Sequence, residues 1–147
     1  MFKISLKKLL GIVPVRHYRI RIRRRRVGGL GGPKRVYESQ KEEARSLVHR
    51  KLELFNLHYN LTWGKVAIRN QRSRWGSCSK KGNLNFNYRI LQLPEPLQDY
   101  IIVHELCHLA AFNHSKNFWA LVAEQIPNHL ARRRALHAIV KNSISIS

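Results

Sequence analysis

The sequence of 147 residues predicts an α+β fold in which helices pack on a short, mainly antiparallel sheet. Apolar residues recur at helical spacing between residues 38 and 59 and again between 97 and 108, whereas they alternate with polar residues between 84 and 90. A chain of this length is enough for one domain with a modest core. We therefore expect one folded body at residues 36–141, preceded by residues 1–35 and followed by a tail at 142–147.

The first 35 residues form a basic arm that ends in a glycine-rich linker. No Asp or Glu precedes Glu38, four arginines stand together at 23–26, and residues 28–33 are Gly-Gly-Leu-Gly-Gly-Pro. Apolar and basic residues alternate over 18–23, which hints at a short strand. The net charge of +20 creates a field that attracts polyanions. The arm therefore has two open interpretations, as a nucleic-acid-binding segment or as a solvated tail.

Composition argues against several other classes of protein. No apolar stretch approaches the length of a membrane span. The apolar run at residues 9–15 is broken by Gly11 and Pro14 and is followed by arginines, which suits neither a signal peptide nor its cleavage site. Cys78 and Cys107 are too few for a disulfide framework. We expect a cytoplasmic protein with no membrane partner.

The body begins with a predicted helix at residues 38–59, whose acidic N-terminal end suits the helix dipole. A short strand is predicted at 65–70, and a turn-rich segment follows at 77–83. The next strand is half-buried by its alternation. Its apolar face consists of Leu84, Phe86, Tyr88 and Ile90, and its polar face of Asn85, Asn87 and Arg89. The two strands are expected to pair as an antiparallel hairpin or meander.

The following helix, after two prolines, carries His-Glu-Leu-Cys-His at residues 104–108. His104 and His108 are four residues apart, so on a helix they lie on one face, one turn apart. That arrangement offers one Zn²⁺ two nitrogen ligands. Glu105 lies beside the first of them and can act as general base on a water at the metal. Two histidines that merely form hydrogen bonds remain the alternative.

A catalytic zinc site needs a third protein ligand and keeps one position for water. His114 follows His108 with the five-residue gap of sites that have three histidine ligands. Asn113 is expected just after the end of the helix, because asparagine tolerates the left-handed conformation common at that position. A turn there would bring His114 back to the metal. Glu124, on the next helix, is the competing third ligand.

Two further helices complete the predicted body. Ser115 is the expected N-cap of a helix that contains Phe118 and Trp119. A last helix is predicted at residues 128–141, after Pro127, with three arginines at 132–134 on a basic face. Residues from 142 onward are expected to form a frayed tail.

The combination of these motifs resembles the YgjP-like zincin family, whose members are related to WLM and SprT metallopeptidase domains. The segments that carry the resemblance are Arg72–Cys78, Asn83–Asn87, the motif at 104–108 and His114–Trp119. They lie between about Glu38 and Leu136, and their order and spacing are more specific than the His-Glu-x-x-His motif alone. The resemblance implies a small zincin-like α+β domain. The arm departs from the longer β-rich segment that family members often carry at this end.

The resemblance also implies one Zn²⁺ per chain, held by His104, His108 and His114, with Glu105 as catalytic base. It favours His114 over Glu124, because the segment after His114 matches the one that carries the third ligand in SprT-like proteases. The implied activity is that of a zinc metallopeptidase, a metal-dependent hydrolase of peptides or proteins. Glu105 would take a proton from water and later pass it to the leaving amine.

Substrate contacts are expected from residues near the motif. The candidates are Arg72, Arg74, Trp75, Asn85, Asn87 and Tyr88. The strand that carries the two asparagines is the expected sheet edge for a peptide to join. Two alternative functions stay open. One is a hydrolase of the nucleoside triphosphate pyrophosphatase type, and the other is a SprT-like protease that acts on nucleic-acid-bound proteins.

Overall fold

The structure is a computed structural model that describes residues 30–145. In this part of the chain four helices pack on a three-stranded sheet, which confirms the predicted fold class. The helices are α1 (Lys34–Tyr59), α2 (Glu95–Cys107), α3 (Lys116–Gln125) and α4 (His129–Ser145). The strands are β1 (Val66–Arg69), β2 (Gly76–Cys78) and β3 (Leu84–Asn87), and a 3-10 helix (Tyr88–Gln92) follows β3. None of these helices combines the length and hydropathy needed to cross a membrane.

The sheet is mixed rather than mainly antiparallel. β3 is the central strand, parallel to β1 with Ile68 opposite Phe86, and antiparallel to β2 with Ser77 opposite Asn85. The predicted antiparallel pairing of β1 with β3 is therefore wrong. The physical reason is β2, which lies between them in sequence and returns the chain along the other side of β3. The expectation that the strand bearing Asn85 forms a sheet edge is wrong for the same reason.

The alternation in β3 predicts the buried face correctly but not the length of the strand. All four apolar residues of that face are buried: Leu84, Phe86, Tyr88 and Ile90. The strand nevertheless ends at Asn87, whose Oδ1 accepts a hydrogen bond from the backbone N–H of Arg89 at the start of the 3-10 helix. The Asn87 amide also donates to the carbonyl of Gln71 at 2.7 Å. A polar side chain that satisfies local backbone groups in this way competes with the strand.

Helix α1 begins four residues earlier than predicted and ends at Tyr59, followed by the C-cap Asn60 in the left-handed conformation (φ 49°). Its buried stripe faces the core and includes Lys51. The Lys51 ammonium lies 2.6 Å from a carboxylate oxygen of Asp99 and 3.0 Å from one of Glu95, both on α2. Burial lowers the pKa of Lys51, but the two hydrogen-bonded carboxylates raise it by more, so the ion pair persists at neutral pH. This contact fixes α1 against the start of α2.

Helix α2 is the centre of the domain. It is buried on almost every side, as expected for a helix enclosed by other elements. Its buried residues are Leu97, Gln98, Tyr100, Ile101, Ile102, Val103, Glu105, Leu106 and Cys107. The Gln98 amide donates to the backbone carbonyls of Ile90 and Leu93, which satisfies a polar side chain in the core. The helix that carries the His-Glu-x-x-His motif is thus enclosed along its middle, while Glu95 and Pro96 at its start are exposed and His104 in its last turn is partly exposed.

The end of the predicted linker is attached to the body. Leu30 is buried, and its backbone N–H donates to the carbonyl of Arg72 at 2.8 Å. Gly32 exchanges two hydrogen bonds with the side-chain amide of Asn70, at 2.9 and 2.8 Å. Residues 1–29, which include the basic arm and its predicted strand, lie outside the described residues.

Duplex DNA provides a test of the arm. If its arginines contact phosphates, the affinity of the full chain should fall with salt, with a slope of about −0.9 per neutralised phosphate. Removing residues 1–27 should abolish this binding, and because Leu30 stays in place the body should keep its fold and metal content. Titration of labelled DNA at two salt concentrations measures both effects. Equal affinities of the full and shortened chains would leave the arm without a nucleic-acid role.

Candidate metal centre and catalytic cleft

The last turn of α2 and the loop after it bring three histidines together. The helix ends at Cys107, and His108 is its C-cap with φ −65° and ψ −19°. The expectation of a left-handed Asn113 is wrong, because among the described non-glycine residues only Asn60 has a positive φ. The chain instead leaves α2 through hydrogen-bonded turns at residues 109–111. Ser115 is the N-cap of α3 as predicted, since its hydroxyl accepts from the backbone N–H of Phe118.

His104, His108 and His114 form a compact set of nitrogen donors. One ring nitrogen of each lies within 4.8 Å of the other two. The Nε2 atoms of His104 and His114 are 3.1 Å apart. Tetrahedral zinc with bonds of about 2.1 Å to nitrogen places its ligand atoms about 3.4 Å from one another, so the set fits one such ion. The competing ligand Glu124 pairs instead with His58, at 2.7 Å.

The protonation of these histidines also suits a metal. The Nδ1 atom of His108 lies 3.2 Å from the carbonyl of Ala111, and a proton on Nδ1 leaves the Nε2 lone pair free. Burial, with the charges of His108, His114 and Arg133, lowers the pKa of His104 to about 3. Burial also lowers the pKa of His108, although the bond to Ala111 opposes the shift. A pKa below the ordinary value means a neutral imidazole at pH 7, the form that binds metal.

Two aromatic side chains of α3, Phe118 and Trp119, pack against the imidazole rings of the three histidines. Phe118 is fully buried, and its ring centroid lies 4.4–4.9 Å from those of all three histidines. The ring of His108 is stacked on it, with an interplanar angle of 23°. Trp119 packs against His104 and His114 with centroid distances of 5.9 and 5.7 Å. Because the N-cap at Ser115 fixes the start of α3, it also fixes Phe118 and Trp119 under the histidines.

Glu105 points from α2 toward strand β2. Its side chain lies against Gly76, where a Cβ atom would come within 2.7 Å of the Glu105 Cγ and Oε1 atoms. The residue is only 7% exposed. Burial raises the pKa of Glu105 to about 8, and the charge of Arg74 opposes this shift. The absence of a side chain at position 76 is therefore what allows the carboxylate to sit beside the histidines.

Two cavities meet at this centre. The first, of about 430 Å³, extends toward α4 and is lined by Trp75, Gly76, Tyr100, Ile101, His104, Glu105, His114, Trp119, Arg133, Leu136 and His137. The second, of about 380 Å³, extends in another direction and is lined by Arg74, Gly76, Ser77, Cys78, His104, Glu105, His108, Phe112 and His114. Glu105 lines both cavities; the first also has His104 and His114, and the second has all three histidines. Strand β2 borders both cavities, and it is an outer strand of the sheet.

The structure separates the residues predicted to contact substrate. Trp75 lines the first cavity and Arg74 the second. Arg72 is exposed and lines neither of them. Asn85 bonds to Ser77 across the sheet.

Two of the predicted contact residues lie in the core. Asn87 is fully buried, and Tyr88 is 1% exposed and packs edge-on against Tyr37. The Tyr88 hydroxyl is the nearest neighbour of a Cβ built on Gly32, so this side chain supports the N-terminal segment of the body. Both residues therefore have structural partners away from the histidines, and we do not assign them a contact with substrate.

Sequence reasoning missed two residues of the cleft. Tyr100 lies one turn before His104, with ring centroids 5.7 Å apart, and the spacing of four residues could have indicated it. Burial raises the pKa of Tyr100, and the charges of Arg133 and Glu105 act on it in opposite directions. Arg133 comes from α4. No local pattern distinguishes it from its two neighbouring arginines, because only the packing of α4 shows which one faces the cleft.

The family comparison agrees with this geometry. The sequence model of the family described as YgjP-like, metallopeptidase domain, matches residues 6–139. The chain belongs to the YgjP-like metallopeptidase family. It is thus a metal-dependent peptidase, with the group of three histidines present in its structure. The match begins well before Glu38, so the family resemblance includes most of the basic arm.

Two solved structures are similar to this YgjP-like metallopeptidase. One is the metallopeptidase zymogen of abylysin from Pyrococcus abyssi, with 27% identity and a TM-score of 0.58, covering 64% of this chain and 95% of that one. The other is the metallopeptidase zymogen of jannalysin from Methanocaldococcus jannaschii, with 22% identity and a TM-score of 0.53 over the same shares. At that identity the second supports the fold alone. A comparison with curated protein sequences found no match.

Proposed function

We propose that this chain is a zinc peptidase in which His104, His108 and His114 hold one Zn²⁺ and Glu105 is the general base. The observation that carries the proposal is the set of three imidazole donors within 4.8 Å of one another, next to a buried carboxylate at the junction of two cavities. Three imidazoles are a donor set that suits catalytic zinc. Abylysin, which resembles this chain, is itself described as a metallopeptidase.

The chain's own groups account for the proton transfers. A zinc ion bound by the histidines would supply Lewis acidity and lower the pKa of water to about 7. The charge of a bound ion would offset the effect of burial and favour the ionised form of Glu105, which would then take a proton from a water molecule and later donate it to the leaving amine. Its position against Gly76 keeps the carboxylate oriented through both transfers. Arg74, whose charge already acts on Glu105, is the group we propose to stabilise negative charge on the substrate carbonyl oxygen.

The sheet edge accounts for substrate alignment. A peptide can add to an outer strand through backbone hydrogen bonds, while its side chains enter adjacent pockets. β2 is an outer strand and borders both cavities, so a peptide along it would pass Glu105 with side chains on either side. This assignment replaces the edge expected from sequence, since β3 is central.

Digestion of a peptide mixture by the zinc-loaded full chain, followed by mass spectrometry, tests the proposed function. The matched control is Glu105→Gln under the same conditions, and nucleoside triphosphates and single-stranded DNA are assayed in parallel. We expect new peptide termini that the variant does not produce. Cleavage of nucleotides in place of peptides would favour the pyrophosphatase alternative. The absence of any peptide cleavage above the level of the variant would reject a peptidase with this base.

Gly76→Ala tests the placement of the base. The new methyl group would meet the Glu105 side chain at 2.7 Å, so the carboxylate must move. Peptide hydrolysis should fall by about tenfold or more, because small misplacements of catalytic groups are costly, while zinc content stays the same. Gly64→Ala is the control, since its methyl group would crowd Asn83, a residue that lines neither cavity. Equal loss in both variants would indicate general destabilisation instead.

A further inference from the structure

Three consecutive arginines of α4 have three different environments. Arg132 donates to the carbonyl of Pro96 at 2.9 Å and thus ties α4 to the start of α2. Arg133 lines the cavity that contains His104 and Glu105, whereas Arg134 is exposed and does not line it. The sequence treats the three as one basic face, but the structure gives only the middle one access to the cleft.

An aromatic stack positions Arg133. Its guanidinium carbon lies 5.5 Å from the centroid of the Trp119 ring, within the range of a cation–π contact. Trp119 is in turn stacked on His129 at 5.1 Å and on His114 at 5.7 Å. The cation is therefore held at the wall of the cleft by a ring that also touches a proposed metal ligand.

Within the part of the chain that the structure describes, Arg133 forms no ion pair with a carboxylate. The ion pairs among the described residues use other carboxylates: those of Glu38, Glu42, Glu95, Asp99 and Glu124. Apart from Glu105, the residues that line this cavity carry no acidic group, and His137 adds a second basic side chain on the same helix. The cavity that contains His104 and Glu105 thus also presents the positive charge of Arg133, whose planar donors are available for a carboxylate.

We propose that Arg133 is a specificity-determining residue that selects peptides carrying a carboxylate on the side of the scissile bond that faces α4. This inference rests on the proposed peptidase function and names a substrate class for it. An acidic side chain and a free C-terminal carboxylate present the same chemistry, and either would form charge-assisted hydrogen bonds with the guanidinium. Because Arg133 is exposed, and exposed ion pairs are weak, the preference should be about fivefold at low salt.

Equilibrium binding to the zinc-loaded Glu105→Gln variant tests this proposal separately from turnover. The probes are labelled alanine-rich octapeptides with a C-terminal amide, in which one Glu or one Gln is moved through successive positions. A further probe is the Gln peptide with a free C-terminal carboxylate. Fluorescence anisotropy should show about fivefold tighter binding of the carboxylate-bearing partner of a pair. Tighter binding of a Glu peptide than of its Gln counterpart would identify an acidic side chain as the preferred group. Tighter binding of the free C-terminal carboxylate than of the amide would identify the C-terminus.

Three changes made in the same background assign the preference to Arg133. Arg133→Gln should abolish it, whereas Arg134→Gln, which removes the same charge from the same helix, should preserve it. Arg133→Glu should invert it, so that a Lys peptide binds more tightly than a Glu peptide, which a purely structural role would not produce. Equal affinities of acidic and neutral peptides, absence of binding, or a preference that survives Arg133→Gln would overturn the proposal. Failure of the peptidase function would be seen separately, as wild-type protein that binds these peptides and leaves them intact.

Discussion

Replacement of Glu105 by glutamine is expected to lower peptide hydrolysis by about 10²-fold or more, the scale of general acid–base catalysis. The amide keeps the shape of the side chain against Gly76, where space is tight, but it cannot accept a proton from water. Zinc content should not change, because the proposed ligands are the three histidines. Initial rates on the best peptide substrate, normalised to bound zinc, measure the effect.

Glu124→Gln is the matched control for this prediction. Glu124 is an exposed carboxylate that pairs with His58, and its conversion to an amide should leave the rate within about twofold, since exposed ion pairs contribute little. Unchanged turnover in Glu105→Gln would mean that the motif on α2 is not the catalytic base for the reaction assayed.

Replacement of His114 by alanine is expected to have the largest effect on metal binding. His114 is the one proposed ligand beyond the last turn and the C-cap of α2, and its Nε2 is 3.1 Å from that of His104. Loss of a hydrogen-bond partner of a ligand already costs about 10–100-fold in affinity, so loss of the ligand itself should weaken zinc binding by more than about 100-fold. Competition with a chromophoric chelator measures the affinity.

His58→Ala serves as the control for His114→Ala, because His58 is exposed and contacts Glu124 rather than the cleft. It should bind zinc as the wild type does. Wild-type zinc affinity in His114→Ala, together with weak binding in a Glu124→Ala variant, would reject the histidine as third ligand and restore the carboxylate alternative.

The motif residues could be predicted from sequence because their geometry is local. Four-residue spacing on a helix places His104 and His108 on one face whatever surrounds them. Ser115 caps the next helix by accepting a hydrogen bond from the backbone N–H three residues later, so its role also depends only on the local sequence. His114 could be proposed from its spacing, although the conformation expected at Asn113 is wrong and the chain turns back by hydrogen-bonded turns instead.

The rest of the site depends on contacts between distant segments. Alternation shows which face of a strand is buried but not which strand pairs with it, so neither the parallel pairing of β1 with β3 nor the short strand β2 could be predicted. The edge that borders the cleft therefore could not be identified either. Asn87 belongs to the predicted polar face of its strand, yet it is fully buried where the chain turns into the 3-10 helix.

The central claim is that three histidines hold one zinc ion, and X-ray absorption at the zinc edge of the purified full chain tests it most directly. The spectrum should fit three imidazole nitrogens at about 2.0–2.1 Å and one further light atom, with no sulfur. A sulfur scatterer at about 2.3 Å would contradict the assignment, because it would point to a thiolate ligand from Cys78 or Cys107, the two cysteines of the sequence. A spectrum with fewer than three imidazoles would contradict it equally.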